Sequence, residues 1–254
     1  MANDGGWFKS RLGEAIAIIL SILIAFAIDA GWDTWQERKE EAELLLALRS
    51  EYEANLEAVQ ETMDGHRGHI SDVQAVSELR TADYDTLSVN RASQMVLAFA
   101  NPWTFDPSLG TTETLISSGR IGLLRDRELA AMLTTFVNFT EDAEEDADYV
   151  RSGAEFVWQA EYRLGGPWFN GEIERSTQGE LEGLDFIESA GGDDLRRLWA
   201  DPVIRGGALM NQINAGYYIV ELRQMRDHIQ AILARLPKGD PPEETEDGGT
   251  DAGS

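Results

Sequence analysis

Few side chains in these 254 residues have the type and spacing to do chemistry, and each of them also has a plain structural use. His66-x-x-His69 is the one close histidine pair. On a helix, an i,i+3 spacing can turn two imidazoles toward one metal ion, with Asp64 or Asp72 as a third ligand. Gly65 and Gly68 argue against regular helix there, so the pair reads as two solvated rings in a polar turn. Glu141-Asp-Ala-Glu-Glu-Asp-Ala-Asp148 places six carboxylates in eight residues, enough to attract a divalent cation, but it lacks the glycine turn and ligand spacing of a calcium loop. With Ala143 and Ala147 turned inward, it reads as the acidic outer face of a helix. Thr114-Leu-Ile-Ser117-Ser118-Gly119-Arg120 supplies hydroxyls, yet a nucleophilic serine needs a general base and no histidine stands near in sequence. Gly119 reads as a left-handed helix cap, with Ser117 and Ser118 bonding local backbone. No P-loop, G-x-S-x-G, H-E-x-x-H or dinucleotide fingerprint occurs. The expectation is a non-enzyme with no catalytic, cofactor-binding or metal-ligating residue and no cofactor.

Composition narrows the partners. The chain carries 46 Asp plus Glu against 21 Lys plus Arg, a formal charge of −25. Such a surface repels the phosphates that supply most nucleic-acid affinity, so no nucleic acid is expected as a partner. There is no cysteine, which removes disulfides, thiol nucleophiles and sites built on thiolates.

The elements that would position these residues begin with an apolar run. Ala15 to Ile28 carries no charge and one polar residue, Ser21. Fourteen helical residues cover roughly 21 Å, short of the ~30 Å hydrocarbon core. Leu12, Gly13, Ala30 and Gly31 extend the run if Glu14 and Asp29 sit near its edges, where a charge costs less. Trp7 and Phe8 before it, and Trp32 and Trp35 after it, suit two headgroup regions. The expectation is a short tail over residues 1–12 and a transmembrane helix over 13–31. A signal peptide cleaved after Ala25-Phe-Ala27 and a buried core helix are the alternatives.

Residues 32–164 read as a helical stalk and bundle. Leu45, Leu48, Tyr52, Leu56, Val59 and Met63 recur at spacings of three and four, so the anchor runs on into this helix. The glycines after Asp64 predict a break, followed by shorter helices over 70–79 and 92–99. Asn101 to Pro107, with two prolines, predicts a rigid aromatic loop, and helix resumes from Thr111 to near Gly119. Asp126 is the expected N-cap of a long helix reaching about Leu164. Residues 165–200 form the expected irregular Gly-rich segment. Asp201-Pro202 then starts a last long helix over 201–236, with Ile204, Leu209, Ile213, Val220, Met225, Ile229, Ile232 and Leu236 on its inner side. Residues 237–254 hold no large apolar side chain after Pro237 and read as a disordered acidic tail. The fold class expected is all-α, a transmembrane helix continuing into an elongated bundle.

Two blocks carry a resemblance. Gly13-Glu14, the Ile-rich run, Ile28-Asp-Ala-Gly-Trp32-Asp and Glu37-Arg-Lys39 resemble the N-terminal signature of a family of bacterial single-span membrane proteins classified only as a domain of unknown function. Thr112-Glu-Thr-Leu-Ile-Ser-Ser-Gly119, with Ile121, Leu124 and Arg127-Glu-Leu129, is similar to that family's Leu-x-Ser-Ser-Gly segment and the helix start after it. The resemblance implies an uncleaved anchor and a helical domain, with no known activity.

The function expected from these features is that of a single-pass, membrane-anchored helical interaction or scaffold protein. Its partners would be the lipid bilayer, through residues 13–31, and a second copy or another protein, met by helix faces or by Trp103, Phe105, Trp168 and Phe169. The location expected is the bacterial inner membrane with the bulk domain in the periplasm, although Lys9 and Arg11 before the run nearly balance Arg38, Lys39 and Arg49 after it. A ligand-sensing bundle with a closed pocket, or a carboxylate- or metal-dependent enzyme, are the alternatives.

Overall fold

The computed structural model describes residues 4–100, 102–164 and 190–238, with side chains from Ile19 onward. Among these residues the chain is all-helical, with no strand. The helices are α1 (Asp4–Glu78), α2 (Val89–Leu97), α3 (Gly110–Ser117), α4 (Arg127–Arg163), α5 (Gly192–Ala200) and α6 (Pro202–Arg235). Short 3-10 turns lie at Tyr84–Thr86 and Arg120–Leu123.

α1 is one helix of 75 residues, roughly 110 Å long at 1.5 Å per residue. The expected break at Gly65 and Gly68 is absent, and residues 70–78 belong to the same helix. The reason is tertiary. A Cβ at Gly65 would lie 2.6 Å from Cε3 of Trp103, so this glycine is a notch for an indole ring within a continuous helix.

The long helices α1, α4 and α6 form the bundle. Gln212 in α6 donates to the Ile70 carbonyl at 3.2 Å, while Arg49 binds the carbonyls of Leu233 and Leu236 at 3.2 and 3.0 Å. α6 therefore runs antiparallel to α1. Asn214 meets the Tyr149 carbonyl and His228 the Met132 carbonyl, so α6 is antiparallel to α4 as well. The α4–α6 approach depends on small residues, since a Cβ at Gly153 would fall 2.0 Å from Asn211 Oδ1 and one at Gly207 2.6 Å from Val157 Cγ2.

The helix starts follow local chemistry. Asp126 Oδ1 accepts from the backbone N–H groups of Glu128 and Leu129, both at 3.0 Å. Asp201 caps α6 in the same way through Val203 and Ile204, with Pro202 in the first turn. Gly119, at φ +71°, has the left-handed conformation expected of it.

Apolar side chains fill two clusters. Leu48, Tyr52, Phe136, Leu222 and Ile229 belong to one, while Val76, Phe99, Leu195 and Ile204 belong to the other, at the far end of α1. One expected boundary moves. Residues 192–200, taken as irregular, are α5, which buries Leu195 and Leu198; residues 165–189 and the tail beyond Lys238 lie outside the described residues. In α6, Leu209, Ile213 and Val220 are exposed, and the buried stripe there is Ala208, Asn211, Ala215, Tyr218 and Leu222.

The lower part of α1 stands alone. Every residue from Ile19 to Lys39 is exposed, and tertiary contacts begin at Glu40, which pairs with Arg120 at 2.9 Å. Among the described residues no helix is long and apolar enough to cross a membrane.

Candidate functional site

The hydroxyl-rich corner at residues 108–120 is assembled by α1. Two side chains one turn apart on that helix, Glu51 and Asn55, grip the start of α3. Asn55 Oδ1 accepts from Ser108 N and Asn55 Nδ2 donates to Ser108 O, each at 2.8 Å. The Glu51 carboxylate accepts from Thr111 N at 2.5 Å, Thr112 N at 3.1 Å and the Thr112 hydroxyl at 2.6 Å. An acid from another helix thus supplies the cap that Leu109, the N-cap residue of α3, cannot. The Thr112 and Tyr52 hydroxyls lie 3.3 Å apart, and burial pushes the Tyr52 hydroxyl far above its usual range.

An open cleft of about 300 Å³ lies beside this corner, lined by Leu44, Thr111, Thr114, Leu115, Ser118 and Arg120. Its hydroxyls are turned to backbone. Thr114 donates to Gly110 O and Ser118 to Thr114 O, both at 2.6 Å, while Ser117 reaches Thr114 O at 3.4 Å. With both serines bonded to the backbone of α3 and Gly119 left-handed, the block forms a helix corner.

The histidine pair takes a different place from the one expected. His66 is fully buried in α1, and its Nε2 lies 2.7 Å from the Trp103 carbonyl. Burial lowers its pKa by disfavouring the charged ring, against the opposing pull of the Trp103 carbonyl. His69 packs near Trp103, with ring centroids 6.0 Å apart. The two rings thus dock the loop after α2, and no grouping of three or more His, Asp or Glu is placed to hold a metal ion among the described residues. Phe105, expected in a contact loop, is 5% exposed, and its N–H donates to the buried Tyr218 hydroxyl at 2.8 Å. Trp103 stays 41% exposed. Trp168 and Phe169 lie outside the described residues.

The acidic run of α4 behaves as its spacing demands. Ala143 and Ala147 are buried while Glu144 and Asp148 face outward and share Arg151 at 2.5 and 2.7 Å. One acid escaped the sequence reading. Glu161 near the end of α4 is 1% exposed, neither carboxyl oxygen has a hydrogen-bond partner, and burial pushes its pKa up to about 8. Nothing in its neighbourhood in the sequence marks it, because Glu155 six residues earlier is an ordinary exposed acid.

A further candidate is an exposed apolar surface. The apolar side chains of Ile19, Leu20, Ile22, Leu23, Ile24, Phe26 and Ile28 are 49–66% exposed, and Trp32 and Trp35 pair just above them with ring centroids 5.2 Å apart. No family model matches the chain, and no curated protein or solved structure is similar to it.

Proposed function

We propose that the protein is a single-pass, membrane-anchored helical interaction or scaffold protein, with residues 13–31 of α1 in the bilayer of a bacterial inner membrane and the bundle on the periplasmic side. One observation carries this reading: from Ile19 to Ile28 α1 is uncharged and exposes large apolar side chains on every face, with no other part of the described chain against them. In water such a helix end is unfavourable, by about 25 cal/mol for each Å² of apolar surface. A bilayer removes that penalty. The ten residues from Ile19 cover roughly 15 Å, half of a hydrocarbon core, and the rest of the apolar run precedes Ile19. Trp32 and Trp35 then fall at headgroup depth. The resemblance of the 13–39 and 112–129 blocks to single-span proteins of unknown function agrees with this placement. Above the interface the charged exposed turns to Lys39 form a stalk that lifts the bundle off the membrane. The bundle binds and presents surface; it is assigned no reaction.

The test fuses a periplasm-active reporter near Ala234 and, in the same cells, follows carbonate-resistant fractionation and the intact N-terminus. Reporter activity in a carbonate-resistant, uncleaved chain is expected. A membrane-bound but inactive fusion reverses the orientation, and a soluble chain or cleavage near Ala27 overturns the anchor.

A further inference from the structure

We propose that α6 carries a dimer seam, and that its occupant is α6 of a second copy of this chain. The proposal rests on the interaction-protein reading above and names its partner. Val203, Gly206, Met210, Ile213, Tyr217 and Val220 follow one another at spacings of 3, 4, 3, 4 and 3, the a/d rhythm of a coiled coil. That stripe is the one not used by the core. α6 buries Ile204, Ala208, Asn211, Ala215, Tyr218 and Leu222 against α1 and α4, whereas the large members of the stripe are 42–69% exposed. Gln224 and Asp227 occupy the next two positions of the rhythm and close the seam.

Neighbouring residues widen it. Leu209 flanks the stripe on α6. On α4, Phe156 packs beside Gly207 and Tyr149 shares a cleft of about 260 Å³ with Tyr217; both are more than half exposed. With open aromatic side chains presenting on the order of 200 Å² each, the exposed fractions leave roughly 800 Å² on one copy, one side of a standard interface. A monomer's largest apolar patch is usually about 300–600 Å².

Charge selects the occupant. From Val203 to Val220 the only charged residue is Arg205, in a chain that carries −25 overall. A basic partner would be drawn to the acidic faces elsewhere, whereas two like-charged copies meet most easily along the α6 stripe, which presents no carboxylate before Glu221, with Asp146 at the rim of the Tyr149–Tyr217 cleft. The heptad seam is also self-complementary about a two-fold axis along α6. Gly206, with no side chain within the stripe, lets the helices approach. Two chains anchored in one membrane hold α6 parallel and at high effective concentration, so a and d positions face their own copies.

The chain has no cysteine, so single substitutions report single positions. Full-length Met210→Cys, Ile213→Cys and Tyr217→Cys, with Glu57→Cys and Thr134→Cys as exposed controls, would be oxidised in native membranes and separated without reductant. Disulfides need Cα atoms about 4.4–6.8 Å apart, which like positions of a parallel seam satisfy. The expected result is a band at twice the chain mass for the three seam variants and not for the controls. Adding Ile213→Glu to Tyr217→Cys should reduce that band at least tenfold while the helical circular dichroism is retained. Equal cross-linking at seam and control positions, adducts of another mass, or monomers whose seam thiols resist maleimide each overturn the proposal. Carbonate fractionation of the same samples separates the two readings: a membrane-bound chain without seam cross-links sinks the dimer alone, and a soluble chain with them sinks the anchor alone.

Discussion

Glu161 gives the bundle a pH dependence whose sign follows from its burial. In the unfolded chain a glutamic acid ionises near pH 4.3, while in the folded chain burial raises this group to about 8. Folding therefore retains a proton between those values. The stabilisation is complete below about pH 4.3 and is lost as the pH rises toward 8. At about 1.4 kcal/mol for each unit, the loss is on the order of 4–5 kcal/mol. His66 acts in the opposite sense, because its pKa is lowered by burial: its contribution is present above about pH 6.5 and is lost as the pH falls. Between pH 6.5 and 8.5 Glu161 dominates, so the thermal midpoint should fall over that window and Glu161→Gln should flatten the fall. An unchanged slope would mean that the carboxyl is solvated. Glu51 is the second buried acid with a measurable task. Glu51→Ala strips acceptors from the N–H groups of Thr111 and Thr112, and Thr112 is fully buried. A loss of about 2–3 kcal/mol in denaturant unfolding is expected, with Glu51→Gln, which keeps one acceptor oxygen, losing less.

Among the elements, α1 separates what the sequence could say from what it could not. Gly65 and Gly68 look alike in sequence, and both weaken a helix by about 1 kcal/mol relative to alanine. In the structure they differ. A Cβ at Gly68 meets nothing within 4 Å, whereas one at Gly65 meets the Trp103 ring at 2.6 and 2.9 Å. Gly68→Ala should therefore stabilise the protein by about 0.5–1 kcal/mol, and Gly65→Ala should destabilise it by about 1–3 kcal/mol. Equal effects in chemical denaturation would show that the indole is not seated there. The Asp126 and Asp201 caps and the Gly119 turn were legible because their partners lie within three residues. The Trp103 notch was not, since the ring arrives from 38 residues away. Glu51 was hidden for the same reason: it stands among Glu53, Glu57 and Glu61, which share its type and not its partners. In α6 the sequence holds two apolar stripes, and periodicity alone merged Leu209, Ile213 and Val220 with the core. Only the position of α1 and α4 decides which stripe is buried.

At the scale of the whole molecule, the excess of negative charge competes with local ion pairs, and magnitudes decide which prevails. The pairs seen here include Arg120 with Glu40, Arg125 with Glu41 and Arg235 with Asp126. They are partly or largely exposed, and such pairs contribute about 0–1 kcal/mol each. The 46 acids exceed the bases by 25; six of them lie beyond Lys238, so most of the excess sits on the chain before it. At 10 mM salt the Debye length is about 30 Å, longer than the distance between neighbouring helices, and carboxylates across the bundle repel one another. At 500 mM it falls to a few Å, which screens repulsion and pairs alike. With 46 acids against 21 bases, long-range repulsion outweighs exposed pairs worth about 0–1 kcal/mol each, so added sodium chloride should raise the thermal midpoint by several degrees despite weakening every ion pair. A falling midpoint would mean that the pairs dominate. Magnesium chloride at matched ionic strength discriminates further. If the acidic face of α4 is only a solvated surface, with Glu144 and Asp148 satisfied by Arg151, both salts should act alike; an additional rise with magnesium would show that carboxylates there gather a divalent cation.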